Sequence, residues 1–277
     1  LKIYMVTDLE GVAGVYTWED RDDASRENSE RRMRQQRWLA HEVNAAGDGF
    51  FRGGATEVLV NDGHGAGYTI DMECVDPRIR VWHGKERPFY CVGLDESCAG
   101  LTSVGTHAKA GTPNATLAHT MSRAVRGYWL NGISVGETGY QAFLAGHYGV
   151  PFIFCAGEAH ACREMEELVP GCVTVPVKVG LSERSSLTWP PARACEMIRE
   201  GAEEAMRRID QIEPLKLEAP IVFREQWHEP RFDPENPPAV GRIIDSRTRE
   251  IEAEDMVELM YKKYGYDRDW QLLREDT

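Results

Sequence analysis

Three short apolar runs, each breaking off at residues that can bind a metal or move a proton, constrain this chain more than any other feature. The first covers residues 1–6 and closes on Thr7-Asp8-Leu9-Glu10-Gly11. Residues two apart on a strand face the same way, so Asp8 and Glu10 aim two carboxylates at one point before Gly11 ends the strand. Two like charges that close raise each other's pKa unless a cation sits between them. The competing reading is an ordinary acidic turn, since Asp and Gly are common loop residues. The second run, residues 57–62, turns out through Gly63-His64-Gly65, and a run over 101–106 is followed directly by His107. Taken singly, each histidine is more often structural than a ligand. Open α/β sheets, however, bind ligands outside the carboxyl ends of their strands, and here three strand ends carry such groups.

The remaining pattern alternates strand and helix. A helix is expected over residues 27–46, with Gly47, Gly49, Gly53 and Gly54 as breakers and the arginines between 31 and 37 on a solvated face. Residues 78–83 read as a further strand. Gly63, Gly65 and Gly67 lack the G-x-G-x-x-G spacing of a dinucleotide site. The small-residue loop 111–121 carries His119, which could act on a substrate without ligating a metal. Residues 123–131 and 133–135 form a hairpin around Asn131-Gly132. Glu137 stands where a helix over 140–148 begins, a position that also suits an acid complementing the helix dipole. Strand 150–156, helix 159–168 and strand 172–177 follow. Ser182-Glu183-Arg184-Ser185 suits capping or surface roles, and Pro190 and Pro191 open a helix to about residue 212. Beyond 213 come a strand over 217–223, a Pro-rich loop over 229–238, a β pair over 240–245 and 249–253, and a helix over 253–264. The fold class is therefore α/β, a largely parallel or mixed sheet with helices on its faces, plus a smaller C-terminal α+β portion. Residues 1–212 are expected to form the metal-binding catalytic core, and 213–277 a subdomain packed on it.

With 277 residues, the chain can bury a sizeable core. Its 45 acidic against 32 basic residues leave a formal charge of −13, which gives no general footprint for nucleic acid or an anionic membrane. No stretch approaches the roughly 18 apolar residues of a membrane span, and the first residues read as a strand in place of a signal segment, so a cytoplasmic protein is expected. Seven cysteines without a tight C-x-x-C pair fit reduced core thiols.

Asp8, Glu10, His64, His107 and Glu137 together offer three carboxylates and two imidazoles, a donor set that suits zinc and also admits manganese or iron. Five ligands exceed the need of one catalytic zinc, whereas a two-metal site with Asp8 as bridge uses them. His41, His83, His147, His160 and His228 are left to surface or core roles, with His160 of interest for its nearness to Glu158.

Several motifs then amount to a family resemblance: T-D-L-E-G from Thr7, N-D-G-H at Asn61 to His64, G-T-H-A-K-A-G at Gly105 to Gly111, A-H-T-M around His119 and V-G-E-T-G at Val135 to Gly139. The chain resembles the DppA-type D-aminopeptidases, zinc peptidases linked with bacterial dipeptide transport. The resemblance runs from about residue 2 to about residue 211, takes in Lys178 and the S-E-R-S segment, and weakens beyond Leu217. The loop after Glu10 and the stretch 229–238 depart from the pattern. It implies that Asp8, Glu10, His64, His107 and Glu137 hold two zinc ions, that His119 is catalytic as general base or nucleophile, and that the chain joins a homo-oligomer, a decamer of two stacked pentamers. The implied reaction is hydrolysis of the N-terminal amide of short peptides, with preference for N-terminal D-residues. Another metal-dependent amidase or deacetylase, and a non-catalytic metal- or peptide-binding protein, are the alternatives.

Overall fold

The first apolar run forms β1 (Lys2–Thr7), buried from Ile3 onward, as a strand covered on both faces must be. The computed structural model describes residues 1–65, 67–233 and 235–266. After β1 come α1 (Arg26–Arg52), β2 (Glu57–Asp62), β3 (Ile79–Trp82), β4 (Cys98–Thr106), the hairpin β5 (Val125–Leu130) and β6 (Ile133–Val135), and α2 (Glu137–His147). The chain continues through β7 (Phe152–Glu158), α3 (Ala159–Leu168), the hairpin β8 (Val173–Ser182) and β9 (Ser185–Thr188), α4 (Pro191–Arg208), β10 (Ile221–Trp227), β11 (Arg242–Asp245), β12 (Thr248–Ala253) and α5 (Met256–Tyr264).

Seven strands make one sheet in the order β3-β2-β1-β4-β7-β8-β9. Every pairing from β3 to β8 is parallel, and only β9 returns antiparallel. From β1 the chain builds outward through β2 to β3, then comes back to lay β4 on the other side of β1 and builds away from it. Right-handed crossovers in these two directions put α1 and α3 on opposite faces. The reversal falls between β1 and β4, and it is outside the carboxyl ends of the strands at such a switch point that open α/β sheets bind ligands. The α/β class with helices on the sheet is as expected.

A second, antiparallel sheet has the order β11-β12-β10-β5-β6. Its C-terminal strands do not pair among themselves alone, because β10 lies between β12 and β5. The 123–135 hairpin thus joins strands a hundred residues downstream. Asn131 (φ +46°) and Gly132 (φ +83°) make its turn as the sequence requires. Tyr140 of α2 and Tyr128 of β5 pack around Phe223 of β10, with centroid distances of 5.8 and 4.9 Å, and so fasten this sheet to the first.

One expectation fails locally and a second holds in part. Gly47 and Gly49 do not break α1, which runs on to Arg52. A Cβ on Gly49 would lie 2.3 Å from the Arg199 carbonyl oxygen of α4, so this glycine serves close helix packing. The S-E-R-S segment is the exposed turn between β8 and β9, so the surface role expected of it holds and the capping role does not.

Candidate metal centre

The ladder between β1 and β4 continues past both strands as two main-chain bonds, Asp8 N–H to Val104 O at 2.9 Å and Gly11 N–H to Gly105 O at 2.7 Å. Only glycine fits this crossing. A Cβ on Gly11 would stand 2.0 Å from Thr106 O, and one on Gly105, whose φ is +77°, would stand 1.9 Å from Asp8 O. The consequence is that Asp8 and Glu10 are pressed against the end of β4, beside His107. On the other flank β2 delivers His64. Lys178, a fully buried residue of β8, ties the loop down by donating to the carbonyl of Glu10 and to those of Val12 (3.2 Å) and Val15 (2.6 Å).

All six residues singled out in the sequence converge. Asp8 divides its carboxylate: Oδ1 lies 2.9 Å from His64 Nδ1, and Oδ2 lies 3.0 Å from His107 Nε2. Glu10 Oε2 is 3.0 Å from His64 Nδ1. Glu137 Oε1 is 3.3 Å from His107 Nε2 and 3.6 Å from His119 Nε2, while also accepting the Met121 N–H at 2.6 Å. The donor atoms fall into two groups, Asp8 with Glu10 and His64, and His107 with His119 and Glu137, each within 4.8 Å of one another.

The histidine orientations say what this arrangement is for. His107 Nδ1–H donates to Ala108 O at 2.8 Å and His119 Nδ1–H to Leu117 O at 3.1 Å. Each therefore keeps Nε2 as the nitrogen turned inward. Despite their closeness to opposing atoms, Glu10 Oε2 and His107 Nε2 are buried without a hydrogen-bond partner among the described residues. Inward lone pairs facing buried carboxylates repel unless a cation, metal or proton, lies between them. In protons the same field appears as follows. Burial opposes charge on Asp8, but His107 and His64 outweigh it and hold the carboxyl well below its usual range. Burial likewise disfavours charged His107 and His64, yet Asp8 with Glu137, and Glu10 with Asp8, push these imidazoles well above theirs. A carboxylate and imidazole set of this kind fits zinc.

His119 sits apart from the strand ends. Its ring stacks on that of His107 at 3.9 Å and receives the edge of Trp18 at 5.2 Å. Leu117 and Met121, two residues to either side, hold φ values of +55° and +61°, and such left-handed backbone in non-glycine residues concentrates at functional sites. His119 lines a cleft of about 420 Å³ together with Asp8, His64, Glu137, Tyr90 and Arg87, a volume suited to a small ligand. His160 is elsewhere: it pairs with Glu158 at 2.7 Å, at the start of α3.

The family model described as D-aminopeptidase, of the M55 peptidases, matches residues 1–262. The chain belongs to this family. The match extends past Leu217 and includes the second sheet, so the resemblance reaches further than the motifs alone indicate. A D-aminopeptidase of Bacillus subtilis (strain 168) is 34% identical over 217 residues, covering 78% of this chain and 77% of its own. The solved structure of a Zn-dependent D-aminopeptidase, DppA from Bacillus subtilis, described as a self-compartmentalizing protease, superposes with a TM-score of 0.86 at 30% identity, covering 96% of each chain.

Two residues that sequence reasoning missed, Glu19 and Glu42, and one that it named only as lining a cleft or covering core, Trp18, shape the site in the present chain. Glu19 lies 3.2 Å from the outer nitrogen of His64, Trp18 bridges from His119 to Glu183 through its indole N–H at 3.0 Å, and Glu42 accepts the Ala13 N–H at 2.8 Å beneath the loop. In the loop 12–23 the sequence marks Tyr16 and Trp18 as aromatics that could line a cleft or simply cover core, whereas no spacing distinguishes Glu19 from the acids around it.

Proposed function

We propose that this chain is a zinc-dependent aminopeptidase that holds two ions and removes N-terminal residues, preferentially D-residues, from short peptides. The observation that carries the two-ion reading is the division of Asp8, whose oxygens face separate donor groups on either side. Zinc, when bound, supplies Lewis acidity at a carbonyl and lowers the pKa of water toward about 7. Asp8, Glu10 and His64 would hold one ion, and Asp8, His107 and Glu137 the other.

His119 carries the proton chemistry. Its Nδ1–H is fixed by the Leu117 carbonyl, which leaves Nε2 as the basic atom on the cleft side, where it can take a proton from the attacking group and return it to the departing amine. Trp18 and His107 fix the ring plane, and the cleft of about 420 Å³ suits a short peptide. Preference for D-residues, and assembly into a self-compartmentalising homo-oligomer, rest on the descriptions of the relatives.

The test pairs D-Ala and L-Ala dipeptides with chelation and zinc add-back. Turnover of the D-dipeptide, its loss on chelation and its return with zinc are expected; equal or absent turnover of both dipeptides would refute the reading. His119→Ala should lower kcat by about 100-fold or more with full metal content. A variant that loses an ion instead would make His119 a ligand.

A further inference from the structure

His64 is built differently from the other two imidazoles of the centre. His107 and His119 turn Nε2 inward and lean, through Nδ1, on the neutral main-chain carbonyls of Ala108 and Leu117. His64 turns Nδ1 inward, toward Asp8 and Glu10, and offers Nε2–H to the Oε2 atom of Glu19 at 3.2 Å. Behind one histidine, then, stands a carboxylate in place of a neutral carbonyl.

That carboxylate is itself fixed. Arg21 Nε donates to Glu19 Oε2 at 2.7 Å and Arg32 Nε to Oε1 at 3.0 Å. The Glu19 side chain is only 5% exposed, so water does little to screen its charge. Arg21 also reaches Thr69 Oγ1 at 3.2 Å, and that hydroxyl donates to the His64 carbonyl at 3.3 Å. The clamp therefore closes on His64 twice, on the ring through Glu19 and on the main chain through Thr69.

A carboxylate on the outer nitrogen of a metal-binding histidine selects the tautomer, orients the ring and raises its basicity. We infer that Glu19 is a positioning residue that fixes His64 with Nδ1 as the donor atom, and that it makes the Asp8, Glu10 and His64 position depend on an outer charge that the His107 and Glu137 position does not use. The inference rests on the two-ion reading above. It gives the two positions different sensitivity to a single substitution in a loop that touches neither ion.

Competitive zinc titration of the full-length apo protein, wild type against Glu19→Gln, tests this. Glutamine keeps the shape and an acceptor oxygen for the imidazole while removing the charge. Expected are two ions in the wild type, of which one is weakened about 10- to 100-fold in the variant and the other unchanged, with apo-protein Tm preserved. Two wild-type ions with neither weakened, or with both weakened alike, overturn the assignment and leave the two-ion reading intact. A single wild-type ion that Glu19→Gln weakens drops the second position and keeps Glu19; a single ion indifferent to Glu19→Gln overturns both. If Glu19→Gln does not fold, Arg32→Met, which leaves Glu19 in place with one fixing bond fewer, should weaken the same ion to a smaller extent, and no change there would count against the assignment.

Discussion

Glu42 offers a stability test that does not pass through the metal ligands. It sits on α1 with 1% of its surface exposed. Oε1 accepts the Ala13 N–H, while Oε2 has no hydrogen-bond partner among the described residues. Burial raises its pKa from 4.5 to about 7, against the opposing pull of the Ala13 N–H and of Lys178. A rise of that size is about 3 kcal/mol against the ionised form. Below the unfolded value both states hold the proton and nothing is lost. Between 4.5 and 7 the folded chain keeps a proton that the unfolded chain releases, so this group's contribution to stability falls as pH rises through that window, and above 7 the full penalty applies. Glu42→Gln keeps the acceptor for Ala13 and cannot ionise. Its stability relative to wild type should therefore improve by about 2 kcal/mol between pH 5 and pH 8, because part of the about 3 kcal/mol is already lost by pH 5, where the unfolded carboxyl is mostly ionised. Urea unfolding of both proteins at fixed zinc across that range measures it, and taking the difference between them cancels the titrations that do not couple to Glu42, Lys178 near pH 8 being the one that does. A pH-independent difference, or a variant less stable at pH 8 than wild type by the same margin as at pH 5, would refute the reasoning.

Elemental analysis should find both ions gone in Asp8→Ala and one retained in Glu10→Ala, because the Asp8 oxygens face both donor groups whereas Glu10 faces one; two ions in Asp8→Ala would exclude it as the bridge. Gly11→Ala drives a methyl to 2.0 Å from Thr106 O, which only a main-chain shift can relieve, so a loss of about 1–3 kcal/mol together with reduced zinc content is expected. Wild-type stability and zinc content in that variant would show that the crossing tolerates a side chain.

What was legible in the sequence is what local pattern controls. A parallel strand buried on both faces must be a nearly unbroken apolar run, and its end is marked where polar residues resume, so Asp8, Glu10, His64 and His107 could be read directly. Strand order is not local. That β4 returns to lie beside β1, and that β5 pairs with β10 across about a hundred residues, leaves no trace in either segment. Gly49 looked like a breaker because propensity alone governs an isolated helix, and the neighbouring α4 backbone overrides it here. Glu42 and Lys178 carry charges that pattern reading places in solvent, yet one lies under the ligand loop and the other crosses to it from β8. Glu19 and Trp18 belong to a loop whose conformation is set by what it packs on, so their roles appear only once His64 and His119 are in position.

The order of these dependencies bears on how the donor atoms of the centre are held. Asp8 and Glu10 are placed by the bonds from Asp8 N to Val104 O and from Gly11 N to Gly105 O, and the loop beyond them by the ammonium of Lys178 on three carbonyls. His107 and His119 are turned by main-chain carbonyls, and His64 by Glu19 and its two arginines. None of these contacts uses an atom that faces the cation. The imidazoles and the ligand loop are thus oriented by a scaffold that stands behind them, as a preorganised site requires, while the inward Asp8 Oδ1 and Glu137 Oε1 also accept the Leu9 and Met121 N–H groups. Burial, which lowers the Lys178 pKa to about 8 against the pull of Glu42 and Glu10, sets a limit on this scaffold: the same desolvation that sharpens the centre's field also works against the cation that anchors its loop.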